Sequence, residues 1–291
     1  MDQKPPMLRN NPKAVVNILP HGLTHAVERL SMGFEWENPL DAQTMSKLSA
    51  LGAQIASVLP RKFEISTSEV RASVHGIAAE TPLSEDDGEL FAVLFDDNEE
   101  QDAPFDIKHA EVIIKNDGFS FSVHARYDGW EKTRAQALKL CEVFFDEISK
   151  HAKLESVEFR VSNVFRLDEF KLNLDELLNE KCDSLPSRIF DADGLWHIDE
   201  GYFERQVDSE SKKLLVNLNV SKVSVDDGML LYVKTMHQLS DEQQFEYPIT
   251  LSSLFDKFEY LHDINKSLLA SVLNEKISRL LGLIDNSGGA I

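Results

Sequence analysis

The chain has 291 residues, room for one large domain or two ordinary ones, and its 42% hydrophobic and 27% charged content is that of a folded globular protein. With 50 Asp and Glu against 30 Lys and Arg, the formal net charge is −20 and the basic residues are scattered, so a nucleic-acid backbone is repelled and a basic protein or a metal ion is attracted. Two cysteines, Cys141 and Cys182, exclude a disulfide framework and a four-cysteine zinc site.

In chain order, the opening MDQKPPMLRNNPK lacks the apolar stretch of a signal peptide. No later run approaches the roughly 18 apolar residues of a membrane span. The expected location is the reducing cytoplasm, with no membrane attachment. HGLTH then places His21 and His25 four residues apart, the spacing of a zinc-protease ligand pair. Pro20 and Gly22 disfavour a helix there, and in an extended chain four residues cover about 13 Å, too far for one ion to bridge. Gly22 also stands where the general-base glutamate belongs, so the two histidines are expected at a turn and strand edge, with no metal. From Ala26 the period is two: Leu30, Met32, Phe34 and Trp36 share one side of a strand. Asp41 is the N-cap of a helix carrying Met45, Leu48, Leu51, Ile55, Val58 and Leu59, closed by Pro60.

Strands are expected at 63–76, 89–95 and 109–116, with a hairpin turning at Asp117-Gly118. Between Ala72 and Ile107 there is no lysine or arginine, while acids recur, including Asp96, Asp97, Glu99 and Glu100. DDNEEQD has the alternation of a calcium loop, but Gln101 replaces its glycine and Ile107 its closing glutamate. The tract is expected to be a solvated loop, and Asp96, Asp97, Glu99 and Glu100 are the candidates for docking a basic partner. Beginning at Gly129, an amphipathic helix turns Leu138, Cys141, Phe144, Phe145 and Ile148 inward, which makes Cys141 a core residue rather than a nucleophile.

The second half repeats this order. SVEFRVSNVF from Ser156 parallels AVERLSMGF from Ala26, a short helix lies near LNLDELLNE, and strands follow at about 194–207 and 213–225. Asp227-Gly228 turns a second hairpin. A closing helix carries Leu251, Leu254, Phe258, Leu261, Asn265, Leu268 and Val272 at helical spacing. Some 30 residues of helix span about 45 Å, enough to brace both halves, with a homodimer through this helix as the alternative. Asn265 inside the stripe would set register or mark a kink near Asn265–Ser267. The expected architecture is α+β: two related β-α-β-β-β-α halves with largely antiparallel sheets and long helices packed on them. The halves run over 26–152 and 153–284, after an N-terminal extension 1–25 and before a flexible tail 285–291.

Catalytic patterns are sparse. Glu169-Phe170-Lys171, with Asp168 beside it and Glu155 or Glu158 upstream, is the one metal-nuclease-like arrangement, so Glu169 and Lys171 carry the alternative of a metal-dependent hydrolase or nuclease. No glycine-rich phosphate loop, nucleophile elbow or C-x-x-C pair occurs, and no cofactor is expected.

Four short motifs resemble a known group: Val27-Glu28 opening a strand, Tyr127-Asp128-Gly129-Trp130 at a helix start, Arg160 with Asn163 on a strand, and Tyr260-Leu261-His262 in the last helix. They are similar to a sporadically distributed prokaryotic family of uncharacterised function, whose pattern is a V-E strand, a Y-x-G-W helix start, an R-Y-x-N strand and a late L-x-x-L-H helix. The chain departs from it at Val161, where the family has tyrosine, and at Thr24-His25, where it has a proline-rich approach. The resemblance implies no activity, and its patchy occurrence points toward mobile or defence-linked genes. It makes Arg160, Asn163 and His262 candidates for a shared pocket, against the plainer role of satisfying buried polar groups. The function expected from all this is a non-enzymatic cytoplasmic binding protein that engages a basic partner through an acidic surface. Its sharpest form is antitoxin-, immunity- or defence-accessory-like, and mimicry of nucleic acid by the acidic tract is a further alternative.

Overall fold

The computed structural model describes residues 25–67, 89–98, 109–125, 127–167, 174–205, 212–226, 228–241, 245 and 248–284. They form nine strands and a layer of helices on one face of the sheet. The strands are β1 (Val27–Trp36), β2 (Arg61–Ser66), β3 (Leu90–Asp96), β4 (Ala110–Lys115), β5 (Gly118–His124), β6 (Leu154–Arg166), β7 (Trp196–Arg205), β8 (Lys212–Val225) and β9 (Gly228–Asp241). The helices are α1 (Ala42–Leu51), α2 (Trp130–His151), α3 (Leu174–Leu177), α4 (Leu251–Val272) and α5 (Glu275–Leu280). Every strand pair is antiparallel, in the order β2-β3-β4-β5-β1-β6-β9-β8-β7.

β1 shows why there is one sheet rather than one per half. Its Leu30, Met32, Phe34 and Trp36 are buried toward the helices, as the alternation requires. One of its edges pairs with β5, from Arg29↔His124 to Glu35↔Gly118. The other edge, left open, would be a row of unpaired backbone groups. β6 fills it, from Val27↔Asn163 to Trp36↔Leu154. The first half also has four strands after its helix, β2 to β5, where a three-strand unit is expected.

Local chemistry fixes the ends. Asp41 caps α1 by accepting from Thr44 N at 2.7 Å, which holds its carboxyl below the usual range. That helix stops at Leu51 and tightens into a 3-10 turn, Gly52–Gln54, instead of running on to Leu59. Gly52 lies so close to the Phe95 ring that a Cβ would sit 2.1 Å from its Cε1. Gly52→Ala is therefore expected to lower stability by about 1–3 kcal/mol through overpacking, read as a lower urea midpoint at unchanged m. The β4–β5 turn is Asn116-Asp117, one residue ahead of the expected Asp-Gly, because Lys115 pairs with Gly118. Gly129 precedes α2 at φ 98 and Gly228 opens β9 at φ 136, both conformations that side chains resist.

The core has two parts. The larger joins β1, the β3–β5 strands, α1 and α2 with Leu254, Phe255, Phe258 and Leu261 of α4. The smaller gathers Phe165, Leu177, Leu218, Val220 and Val233 around Leu269 and Val272 of the same helix. α4 thus braces both, and its apolar stripe is buried within its own chain. The helix runs unbroken through Asn265, which accepts from Thr235 Oγ1 at 2.5 Å. It breaks later, at Leu273-Asn274, where Leu178 bridges Leu273 and Asn274 N donates to Leu177 O. Among the described residues no helix packs on the other face of the sheet, which is mostly polar over β1, β6 and β7–β9 but carries Phe63, Leu94 and Ile113 over β2–β4.

Candidate binding surfaces

Asp96 is not a surface acid. Its carboxylate is fully buried and takes two parallel bonds from Arg61, Nε and one terminal nitrogen each at 2.8 Å. Those hydrogen bonds hold the Arg61 guanidinium more firmly protonated than usual. Asp97 accepts from the His109 backbone at 2.7 Å. Glu99 and Glu100 lie outside the described residues, as do His21 and the Asp168, Glu169 and Lys171 of the nuclease-like pattern. His25 packs edge-on against Tyr127, ring centroids 5.4 Å apart, which suits the strand-edge role expected of it.

Arg160, Asn163 and His262 do not share a pocket. On β6 the side chains alternate, so positions three apart face opposite sides. Arg160 lies on the open face, clasping Glu158 through Nε at 2.5 Å and a terminal nitrogen at 2.6 Å. Asn163 is buried and donates to Val233 O at 3.4 Å. His262, on α4, stacks on Trp130 at the start of α2, with centroids 4.3 Å apart and planes 5° apart. Phe159 meets both rings edge-on. Two residues picked out by the resemblance, Trp130 and His262, therefore do meet, as a seam between α2 and α4.

Glu259, His262 and Asp263 bring their ligand atoms within 4.8 Å of one another, a grouping that could be read as a metal centre. The chemistry of the donors opposes it. Both oxygens of Glu259 accept from Trp130 Nε1, at 2.9 and 3.0 Å, and Arg134 Nε is 3.0 Å away. A carboxylate already neutralised by arginine and tied to an indole is a poor ligand, so Glu259 and His262 are read as interhelical structure, with the exposed Asp263 beside them. Cys141 is equally unreactive, because complete burial pushes its thiol far above the usual range.

Two concavities among the described residues bear on binding. The first, about 480 Å³, lies on the open sheet face and is lined by Arg29, Arg160, Ser162, Asn217, Asn219 and Lys234 among others. Its cations have partners or aromatic support: Arg29 bonds Glu111 at 3.1 Å, and Lys234 lies 5.0 Å over Tyr232. Asn217 bonds Asp199 at 2.9 Å, and Ser162 bonds Glu28 at 3.0 Å. This face is polar but electrically balanced.

The second, about 430 Å³, opens between α4 and the β7–β8 side of the sheet. Glu204 stands at its rim, with Glu200 on the same face of β7. Over 174–204 the chain carries Asp175, Glu176, Glu180, Asp183, Asp191, Asp193, Asp199, Glu200 and Glu204 against Lys181 and Arg188 alone, and all these acids but Glu200 are exposed. The same stretch of chain exposes two large apolar side chains, Leu195 (62%) and Phe203 (68%), the latter on the face of β7 opposite Tyr202 and Glu204. In the sequence this stretch is less conspicuous than the compact tract at 72–107, because its acids are spread over turns and strand positions. The strongest signal was the scarcity of bases across the segment. A scan against protein-family models gives no match, and a search of curated proteins returns none.

Proposed function

We propose that the chain is a non-enzymatic binding protein whose acidic surface around 174–204 docks a basic macromolecular partner. The observation that carries this reading is the pairing of exposed acids with the exposed Leu195 and Phe203 on one stretch of chain. Exposed apolar side chains rimmed by charge mark interaction sites, and the charge sets the sign of the partner. The net charge of −20 adds long-range steering to the same partner. An antitoxin-, immunity- or defence-accessory-like role in the cytoplasm is the sharpest form, and it leans on the family resemblance. No helix among the described residues is long and apolar enough to cross a membrane, and both cysteines are free, which suits a reducing compartment.

We further propose that the scaffold arose by duplication. In each half a long strand and a helix precede a meander whose last strand returns to pair with the first, β5 on β1 and β9 on β6, before a long helix closes the half. The antiparallel β1–β6 pair at the centre relates the two arrangements.

The docking reading is tested by purification from the native host at low salt. A basic protein is expected to co-purify and to be released by about 300 mM salt, where surface charges are strongly screened. Asp191→Lys with Asp193→Lys should weaken that complex at least about tenfold, since charge complementarity governs such contacts, with an unchanged melting temperature. A lone monomer at every salt concentration, or a partner indifferent to the charge reversal, would count decisively against it.

A further inference from the structure

The cleft beside α4 has features that the acidic surface lacks. Its floor is Val216 of β8 and His237 of β9, paired across the sheet, and Tyr202 of β7 is the next partner of Val216. Its wall is α4, which contributes Tyr260, Asp263 and Ser267. Glu204, two residues beyond Tyr202 on the same face of β7, sits at the rim. The His237 side chain is fully buried, and neither ring nitrogen makes a hydrogen bond of good geometry, the Asn265 side chain giving only partial support. A buried polar group without a partner costs about 1–3 kcal/mol, and its neighbourhood normally supplies one. Here what the ring borders is the cleft.

The chemistry of the lining selects the occupant. Glu204 and Asp263 bring two carboxylates, with the charge of Glu200 also felt at Tyr202, whose phenol is pushed up by burial first and then by these two glutamates. An anion would be repelled. A neutral apolar group would leave the carboxylates and the imidazole unanswered. A cation with an apolar stem meets all of them: carboxylates for the charge, tyrosine faces for cation–π contact, and an imidazole nitrogen as acceptor on the floor. Burial keeps that imidazole neutral near pH 7, with Asn265 only partly offsetting the effect.

We propose that this cleft is the specificity pocket of the docking surface, built to receive an arginine side chain of the basic partner between Tyr202 and Tyr260, with its guanidinium on Glu204, Asp263 and His237. The proposal rests on the acidic-surface reading and sharpens it from a charged patch to a defined anchor. Anchors of this type, an arginine or aromatic side chain in a desolvated pocket, carry most of the energy of a protein interface.

The test uses two small probes on the full chain, N-acetyl-arginine amide and its neutral isostere N-acetyl-citrulline amide, followed by NMR of the histidine and tyrosine ring signals. The arginine probe is expected to shift the resonances of His237, Tyr202 and Tyr260, and the citrulline probe to bind at least about tenfold more weakly, since it offers no charge to two carboxylates. Ser267→Phe, an exposed position on the cleft wall, should plug the site and abolish the shifts without touching the core. Equal binding of the two probes, or shifts that survive Ser267→Phe, would overturn the pocket. The parent reading fails separately: it falls if Asp191→Lys with Asp193→Lys leaves the native partner bound. If that double variant releases the partner while Ser267→Phe does not, the acidic surface stands and the arginine pocket falls.

Discussion

Asp96→Ala is expected to destabilise the fold by about 3–5 kcal/mol, the largest effect of any single substitution considered for this chain. The reason is burial on both sides of the pair: the Arg61 and Asp96 side chains are 4% and 0% exposed. Two charges taken from water repay that penalty only through good geometry, and here the fork of the guanidinium meets both carboxylate oxygens at 2.8 Å. Asp96 also accepts from the backbone of Asn98 at 3.1 Å, so its loss leaves a buried cation and an unmet amide together. Arg61→Met with Asp96→Leu removes both charges and should recover most of the loss, since apolar replacement of a buried pair is often neutral. Urea unfolding of the two variants measures the difference. A loss below about 1 kcal/mol in Asp96→Ala would mean that the pair is solvated and that the residue is available to a partner after all.

That result bears on what the sequence could and could not convey. The alternation of β1, the cap at Asp41 and the stripe of α4 were all legible, because each is a local pattern with a fixed period. Burial of Asp96 was not, since its partner lies on the neighbouring strand, 35 residues away, and the surrounding acids disguised it as part of a solvated run. The joining of the halves into one sheet was hidden for the same reason: pairing of β1 with β6 is a non-local choice that neither strand announces. The separation of Arg160 from Asn163 is different. Period two along a strand places residues three apart on opposite faces, so the shared pocket could have been rejected from the numbering alone. The cleft was beyond reach, because it is assembled from β7, β8, β9 and α4, and its one unusual member, His237, reads in sequence as an ordinary strand residue.

His237 also supplies the second large effect, a loss of stability in mild acid. Burial lowers its pKa from the ordinary 6.5 to about 4, so between those values the unfolded chain binds a proton that the folded chain refuses. Stability contributed by the neutral ring is therefore complete above pH 6.5 and is lost progressively as pH falls toward 4, by about 3 kcal/mol in all. His262, likewise lowered chiefly by burial against Trp130, adds to the loss with the same sign. The depressed carboxylates Glu64 and Glu147, held down by hydrogen bonds to Lys62 and Lys150, act later, as pH falls through and below their ordinary range near 4.5. Chemical denaturation between pH 7 and 4.5 isolates the histidines, and His237→Phe should flatten most of the slope in that window. An unchanged slope would place the ring in water in the folded state. The groups facing it make the direction consequential: Glu204 and Asp263 at the cleft draw a cation inward, while a protonated His237 on the floor would repel one. Protonation of the folded ring, near pH 4, should therefore also weaken the hold on an arginine.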